Sequence, residues 1–401
     1  MPKDHLFKPL KPNAKLHPSF RQLQSATRSA STRAMMDEAF ARYADKDGNF
    51  VEQFQTTGFD SRTFELYMSE LLHSEKFSIQ PTAPQPDFHA EKNGLEIFIE
   101  CTTANPTDAD DTRIRPYEPV NERDADLQDI MHRFEDDLPI RVGGALYSKI
   151  TKRFAKKPPL AYWDLPQVSG RPFVLAVQCF HEPGALSFSG AAVANYLYGF
   201  RQKPGWDNQG HLEIKSGPIA EHRRDEKIIP SGFFDLPDAQ NVSAVLWTNA
   251  GTVPKFTRMA LAGPYPDEGV TALRFGNMYD FDPNAHAPLP FAFIVGDPGT
   301  PRETWGQEAV LYHNPRAKFP IPLGLFDTVG EGHIEDGRYV EEMKSDFVPF
   351  FSLTHLIDGR GHRRAAIEIG EMAWKHLVEA YRVQSRTTDH PVWGDGSDSI
   401  G

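Results

Sequence analysis

Glu65, Asp87, Glu100 and Lys149 stand out by residue type and spacing. Asp87 lies in Pro86-Asp87-Phe88, and Glu100 opens the segment Glu100-Cys101-Thr102 at the end of an alternating run. Leu95, Ile97, Ile99 and Cys101 fall on one face of that run, and Glu96, Phe98, Glu100 and Thr102 on the other. Carboxylates on neighbouring strands, which lie about 4.8 Å apart, can share one divalent cation. Mg2+ suits such a pair because it takes oxygen ligands and keeps several waters, and Mn2+ is the alternative. Water oriented there can attack phosphorus while the metal offsets the developing charge. The chemistry indicated is hydrolysis of a phosphodiester.

These residues need elements to position them. Arg62 to Ser74 reads as a helix carrying Glu65, with Asp60 or Ser61 as its cap and Phe64, Tyr67, Met68, Leu71 and Leu72 as one apolar stripe. Ala34 to Tyr43 reads as a shorter helix before it. Phe77 to Gln80 and Pro86 to Ala90 are short strands, and Lys92-Asn93-Gly94 is a hairpin turn into the strand Leu95 to Thr102. On simple counting Asp87 lies further from that turn than Glu100, so twist or a bulge must bring them level. Asp124 to Lys157 is helical in tone, with breaks expected near Pro139 and Gly143-Gly144. Lys149, Lys152 and Lys156 then form a ridge beside Leu146, Ile150 and Phe154. Pro172 to Phe180 is a buried strand, followed by a mixed region that ends in a helix from Arg363 to Val383.

Length and composition set the frame. The chain of 401 residues can hold a large core, and 39% apolar with 24% charged residues suits a globular protein. No run of 18 apolar residues predicts a membrane span, and no apolar leader opens the chain. Cys101 and Cys179 are too few for a disulfide framework or a four-cysteine zinc site, and they suit a reducing, cytoplasmic setting. The net charge of −12 argues against a histone-like binder. The charge is clustered, however. Residues 1–34 are basic, residues 108–137 are acidic, and residues 141–157 carry Arg141, Lys149, Lys152, Arg153, Lys156 and Lys157 without an acid. Such blocks suit a phosphate-rich partner, with plain solvation as the alternative for each. Nucleic-acid contacts are accordingly expected from Lys149, Lys152, Arg153, Lys156 and Lys157.

The order helix, strand, strand, strand, helix, strand, with Glu65, Asp87, Glu100 and Thr102 placed along it, resembles the PD-(D/E)XK nuclease superfamily. The resemblance covers roughly residues 60–180. The Phe64-Glu65-Leu66-Tyr67, Pro86-Asp87-Phe88, Glu100-Cys101-Thr102-Thr103 and Ser243-Ala244-Val245-Leu246 segments are similar to those of a group of uncharacterised bacterial proteins. The resemblance implies an α/β fold with a restriction-endonuclease-like αβββαβ core and a mixed sheet, elaborated by a C-terminal α+β region. It implies a metal-dependent endonuclease acting on DNA, with host defence as a setting. Asp87, Glu100 and the Cys101 carbonyl would hold Mg2+ or Mn2+, and Glu65 would support them. Thr102 departs from the pattern, because the family places a lysine there. In some members that lysine moves to the following helix, and Lys149 is the counterpart here. A catalytically inactive nucleic-acid-binding or assembly module is the competing reading, in which Thr102 records lost catalysis. A hydrolase of another phosphoester is a third. The implied organisation is a mobile basic arm (1–34), a nuclease-like core (35–181), an extension packed on it (182–385) and a loose tail (386–401).

Overall fold

The computed structural model describes residues 6–80, 85–105, 133–155, 157–180, 190–207, 209, 211–282, 285 and 287–386. Four helices come first: α1 (Pro18–Ser25), α2 (Ala30–Arg42), α3 (Phe50–Gln55) and α4 (Phe59–Ser74). The expected mobile arm is anchored in the core through its apolar residues, while residues 8–15 stay largely exposed. Leu6, Phe7, Leu16, Phe20 and Leu23 are buried in the core beside Phe54 and Phe59. Gln55 fastens the segment by donating to the carbonyls of Leu6 and Lys8 at 2.9 and 2.8 Å. The arm is mostly polar by composition, but its few large apolar residues recur at helical spacing, and burial of each is worth roughly 1.5–3 kcal/mol. His17 caps α1 by accepting from the Ser19 N–H, and Pro18 occupies a position where no N–H is needed.

Three antiparallel strands follow α4. They are β1 (Ser78–Ile79), β2 (Phe88–Lys92) and β3 (Leu95–Ala104). Helix α5 (Leu138–Thr151) then crosses over to β4 (Phe173–Cys179), which lies parallel to β3. The helix and strand order read from the sequence is thus the order observed. A π-helical turn (Arg133–Asp137) gives way to α5 just before Pro139, where a break was expected, whereas Gly143-Gly144 leaves the helix unbroken. Pro139 sits in the first turn, where a missing N–H costs nothing. Gly143 lets the helix approach its neighbours: a Cβ there would lie 2.7 Å from both the Tyr196 hydroxyl and Ile229. Helix α5 does end early, at Thr151, so Lys152 has left the helix and the lysine ridge does not form. Lys156 lies outside the described residues, as do most of the acidic segment and the tail.

After α6 (Ala191–Tyr198) come two hairpins, β5 (Phe200–Trp206) with β6 (Leu212–Pro218), and β7 (Glu221–Arg224) with β8 (Lys227–Pro230). The chain continues through β9 (Ala244–Thr248), α7 (Val253–Leu261), β10 (Val270–Met278), β11 (Leu289–Ile294) and β12 (Ala309–His313). It ends with β13 (Gly330–Glu335), β14 (Arg338–Glu342), β15 (Pro349–Asp358) and α8 (His362–Arg386). The result is a mixed α/β fold around an eight-stranded mixed sheet in the order β1-β2-β3-β4-β9-β12-β13-β14. The chain after residue 181 adds strands to the same sheet, since β9 pairs directly with β4. A second sheet, β11-β10-β15, carries α8.

Helices cover both faces of the large sheet. One face buries Ile97, Ile99 and Cys101 with α4 and α7; the other buries Phe98, Phe173 and Leu175 with α5 and α6. Alternation along β3 therefore sends Glu100 towards α5. No described helix is long and apolar enough to cross a membrane.

Candidate active site

The hairpin between β2 and β3 sets the site. Asn93 and Gly94 form its turn with φ of 56° and 79°, the left-handed pair that suits the twist of flanking strands. Lys92 pairs with Leu95 at the turn, and Phe88 pairs with Ile99 at the far end. One further step in that register places Asp87 opposite Glu100. The expected offset between them is therefore overturned: measured from a two-residue turn, the two arms are equal, and no bulge is needed.

Asp87 is half-buried, and its Oδ2 accepts the Cys101 backbone N–H at 2.7 Å. Cys101 thus meets Asp87 through its N–H, while its thiol belongs to the α4 side of the sheet. Glu100 is only 4% exposed. Its Oε1 accepts from the Lys149 ammonium at 2.8 Å and from the Tyr162 hydroxyl at 2.6 Å. Its Oε2 is buried and has no hydrogen-bond partner among the described residues. Lys149 arrives from the last turn of α5, which Leu146 and Ile150 anchor to the sheet. Glu65, on α4, is buried rather than an exposed helix glutamate, and its Oε2 accepts from the Tyr43 hydroxyl at 2.9 Å and from Arg62. Thr102 is half-buried on β3 beside Val177 and brings no charge.

The three carboxyl groups feel one another. Burial raises the pKa of Asp87 well above the ordinary carboxylate range, and the Glu100 and Glu65 charges raise it further against the Cys101 N–H. Burial also raises Glu65, opposed by Arg62 and Tyr43. Burial works against the charge on Lys149, yet the neighbouring Glu100 carboxylate and its hydrogen bond hold the ammonium pKa above its usual value.

Two contributors were not foreseen from the sequence. Tyr162 links Glu100 to Lys152, whose ammonium donates to the Tyr162 hydroxyl at 2.9 Å. Lys46 reaches in from before α3 and donates to the Asp87 carbonyl at 2.6 Å and the Pro86 carbonyl at 3.2 Å. With Tyr43, Arg62 and Asp87 it lines a cavity of about 20 Å³, and a buried water needs roughly 10–15 Å³. Only tertiary packing brings Lys46 and Tyr162 here, and no motif in the sequence marks either.

The basic segment after α5 is engaged in the fold. Lys152 holds Tyr162, and Arg153 donates to the carbonyls of Ile150 and Lys152 at the helix end and to Asp238 at 2.9 Å. Lys157 is exposed. Of the five residues expected to contact nucleic acid, Lys149 faces Glu100, and two others perform structural work.

Among the described residues no group of three or more His, Cys, Asp or Glu side chains is arranged to hold a metal. Arg62 pairs with Glu65, and Lys149 pairs with one oxygen of Glu100. The remaining donors, Asp87 and the unpartnered Glu100 Oε2, fit a hard cation that takes few protein ligands and keeps its waters. Comparison of the chain with protein-family models, with curated proteins and with solved structures finds no match.

Proposed function

We propose that this protein is a divalent-metal-dependent nuclease of restriction-endonuclease-like architecture that hydrolyses phosphodiester bonds in DNA. The observation that carries the reading is the hairpin register, which sets Asp87 opposite Glu100 with the Lys149 ammonium 2.8 Å from the Glu100 carboxylate. Asp87 and Glu100 would hold Mg2+ or Mn2+ with the Cys101 carbonyl, and the cation would supply Lewis acidity and a bound water. The chain's own residues set the stage. The Tyr162 hydroxyl and Lys149 fix Glu100 through Oε1, and the unpartnered Oε2 is the atom that would ligate the cation. The Cys101 N–H fixes Asp87 in the same way. Lys149, held charged beside Glu100, offsets the negative charge that grows on the phosphoryl oxygens, the role that Thr102 cannot fill. Glu65 is held by Tyr43 and Arg62 and adds negative potential that draws the cation in.

A second reading has a specific observation behind it. The Lys149–Glu100 ion pair occupies one of the few available ligand oxygens, as it would in a relative that keeps the fold and binds nucleic acid without cleaving it. One experiment separates the two. Plasmid, linear and single-stranded DNA are incubated with the protein and Mg2+ or Mn2+, alongside a chelator control and Asp87→Asn. Cleavage that needs metal and vanishes in Asp87→Asn supports the nuclease. DNA binding without cleavage in any metal supports the second reading.

A further inference from the structure

The second sheet ends on an unpaired edge. In the order β11-β10-β15, β15 is bonded to β10 on one side only. The register gives the direction of its backbone groups. The Val295 N–H donates to the Ala272 carbonyl at 2.9 Å, so Ala272 turns its backbone groups towards β11. Leu273 then turns towards β15, where it pairs with His355. Alternation carries the N–H and C=O groups of Ser352, Thr354 and Leu356 away from β10. These groups make no backbone hydrogen bond among the described residues.

The other edges of the two larger sheets are protected. β1 is two residues long, β14 carries Arg338 and Glu342, and β11 contains Pro290. Short length, charge and proline are common ways to keep an edge from pairing with another chain. β15 lacks all three over most of its length: residues 350–357 include no Lys, Arg, Asp, Glu or Pro.

This edge borders a large cavity. Residues 351–357 all line it, odd and even alike. One face of a strand presents alternate residues only, so the cavity meets the edge of β15 itself. Its volume is about 850 Å³, inside the range of roughly 300–1,000 Å³ typical of ligand sites. The far wall comes from Leu23 of α1, Ala26 and Ser29 before α2, Thr257 of α7 and Trp247 of β9. The turn Thr27–Ser29 approaches β15 closely. The space is thus a walled slot. It admits one strand at the usual spacing of about 4.8 Å, but not the edge of a second sheet with its own flanking elements.

Charge narrows the occupant. Arg258 pairs with Glu303, Glu308 with Arg274, and Lys344 with Glu331 and Glu342. Glu341 accepts from Tyr339 and is pushed by burial towards its neutral form. Arg28 and Asp60 add one charge of each sign. The wall therefore favours neither sign, and a charged side chain entering the slot would lose hydration without compensation. We propose that the cavity beside β15 receives an extended, uncharged peptide segment of a partner protein, which pairs as an added strand with the outward backbone groups of Ser352, Thr354 and Leu356.

The inference does not depend on the nuclease reading, and its test does not use cleavage. The full chain is titrated calorimetrically with an acetylated, amidated hexapeptide of alternating Thr and Val, and amide hydrogen exchange is followed by mass spectrometry. The expected result is saturable binding at one site, with slowed exchange in residues 351–357. The same peptide N-methylated at every residue, and a peptide of alternating Glu and Lys, should each bind at least about tenfold more weakly. Leu356→Pro removes an outward N–H and no bond to β10, and it should weaken the hexapeptide by about tenfold or more, with folding checked by circular dichroism. If Leu356→Pro does not fold, the N-methylated peptide carries the test. Failure of the hexapeptide to bind overturns the proposal. Equal binding of the methylated and unmethylated peptides also overturns it, because the cavity would then take apolar groups without strand pairing. So does protection of residues 351–357 that grows with protein concentration alone, which would assign the edge to a second copy of the chain.

Discussion

Replacing Asp87 by Asn should reverse the protein's response to metal. Asn keeps the size of the side chain and an oxygen to accept the Cys101 N–H, but it removes one of three mutually repelling carboxyl groups. Without metal, the variant should therefore melt higher than wild type at pH 7, since closely held like charges disfavour joint ionisation. With metal the order should invert. At a Mn2+ concentration 100-fold above its dissociation constant the wild-type fold gains about 2.7 kcal/mol. An unfolding entropy of about 2.1 cal/mol/K per residue makes that gain worth roughly 3 °C for a chain of this length. The pH dependence follows the same logic. Asp87 and Glu65 have raised folded-state pKa values, so the folded chain binds more protons than the unfolded chain between the ordinary carboxylate range and those raised values. Stability without metal should thus fall as pH rises through that window, and Asp87→Asn should flatten the fall. Calorimetric or fluorimetric melting from pH 4 to 8, with Mn2+ and with chelator, reads all three effects. An Asp87→Asn protein that keeps the full Mn2+ shift, or that melts lower than wild type in chelator at pH 7, refutes the reasoning.

Lys149→Met should cut DNA turnover by about a hundredfold, the loss expected for one preorganised charge, while the Mn2+ melting shift persists; full activity would remove Lys149 from the mechanism. Tyr162→Phe deletes a donor to a buried carboxylate and should cost about 1.5–3 kcal/mol in urea unfolding. An unchanged unfolding midpoint would show that the Tyr162 hydroxyl does not hold Glu100. Deleting residues 1–25 strips Leu6, Phe7, Phe20 and Leu23 from the core. At roughly 1.5–3 kcal/mol each, that loss is comparable to the ordinary 5–15 kcal/mol stability of a folded protein. The truncated chain should lose cooperative melting, and wild-type melting would contradict the packing described.

What the sequence revealed was governed by local pattern. Alternation in Leu95 to Cys101 and the Asn93-Gly94 turn announce β2 and β3, because period and turn chemistry act over a few residues. Helix α4 is legible for the same reason. The N-terminal arm was misread because average polarity outweighed the sparse apolar residues that anchor it. The break expected at Gly143 failed because that glycine answers to Tyr196 and Ile229, which are remote in sequence. The strands β10 and β15 were missed because they pair with each other across a long stretch of chain, whereas β13 and β14 form a local hairpin about Asp336-Gly337, a turn signal that went unread. Within the candidate site the acidic residues carried a motif, whereas Lys46 and Tyr162 reach the site by long-range packing that leaves no periodic trace.

The equal arms of the β2–β3 hairpin restrict how this protein can vary. Surface turns are usually the places where chains gain and lose residues freely. Here a single insertion between Asp87 and Glu100 would shift one arm against the other, and a one-residue slip sends every side chain on that arm to the other face. Asp87 would then no longer stand opposite Glu100. Lengthening both arms by one residue each would keep the pair opposed. A library with length changes between residues 88 and 99 should therefore show parity: variants that preserve the opposition remain able to bind metal, and variants that break it fold without the site.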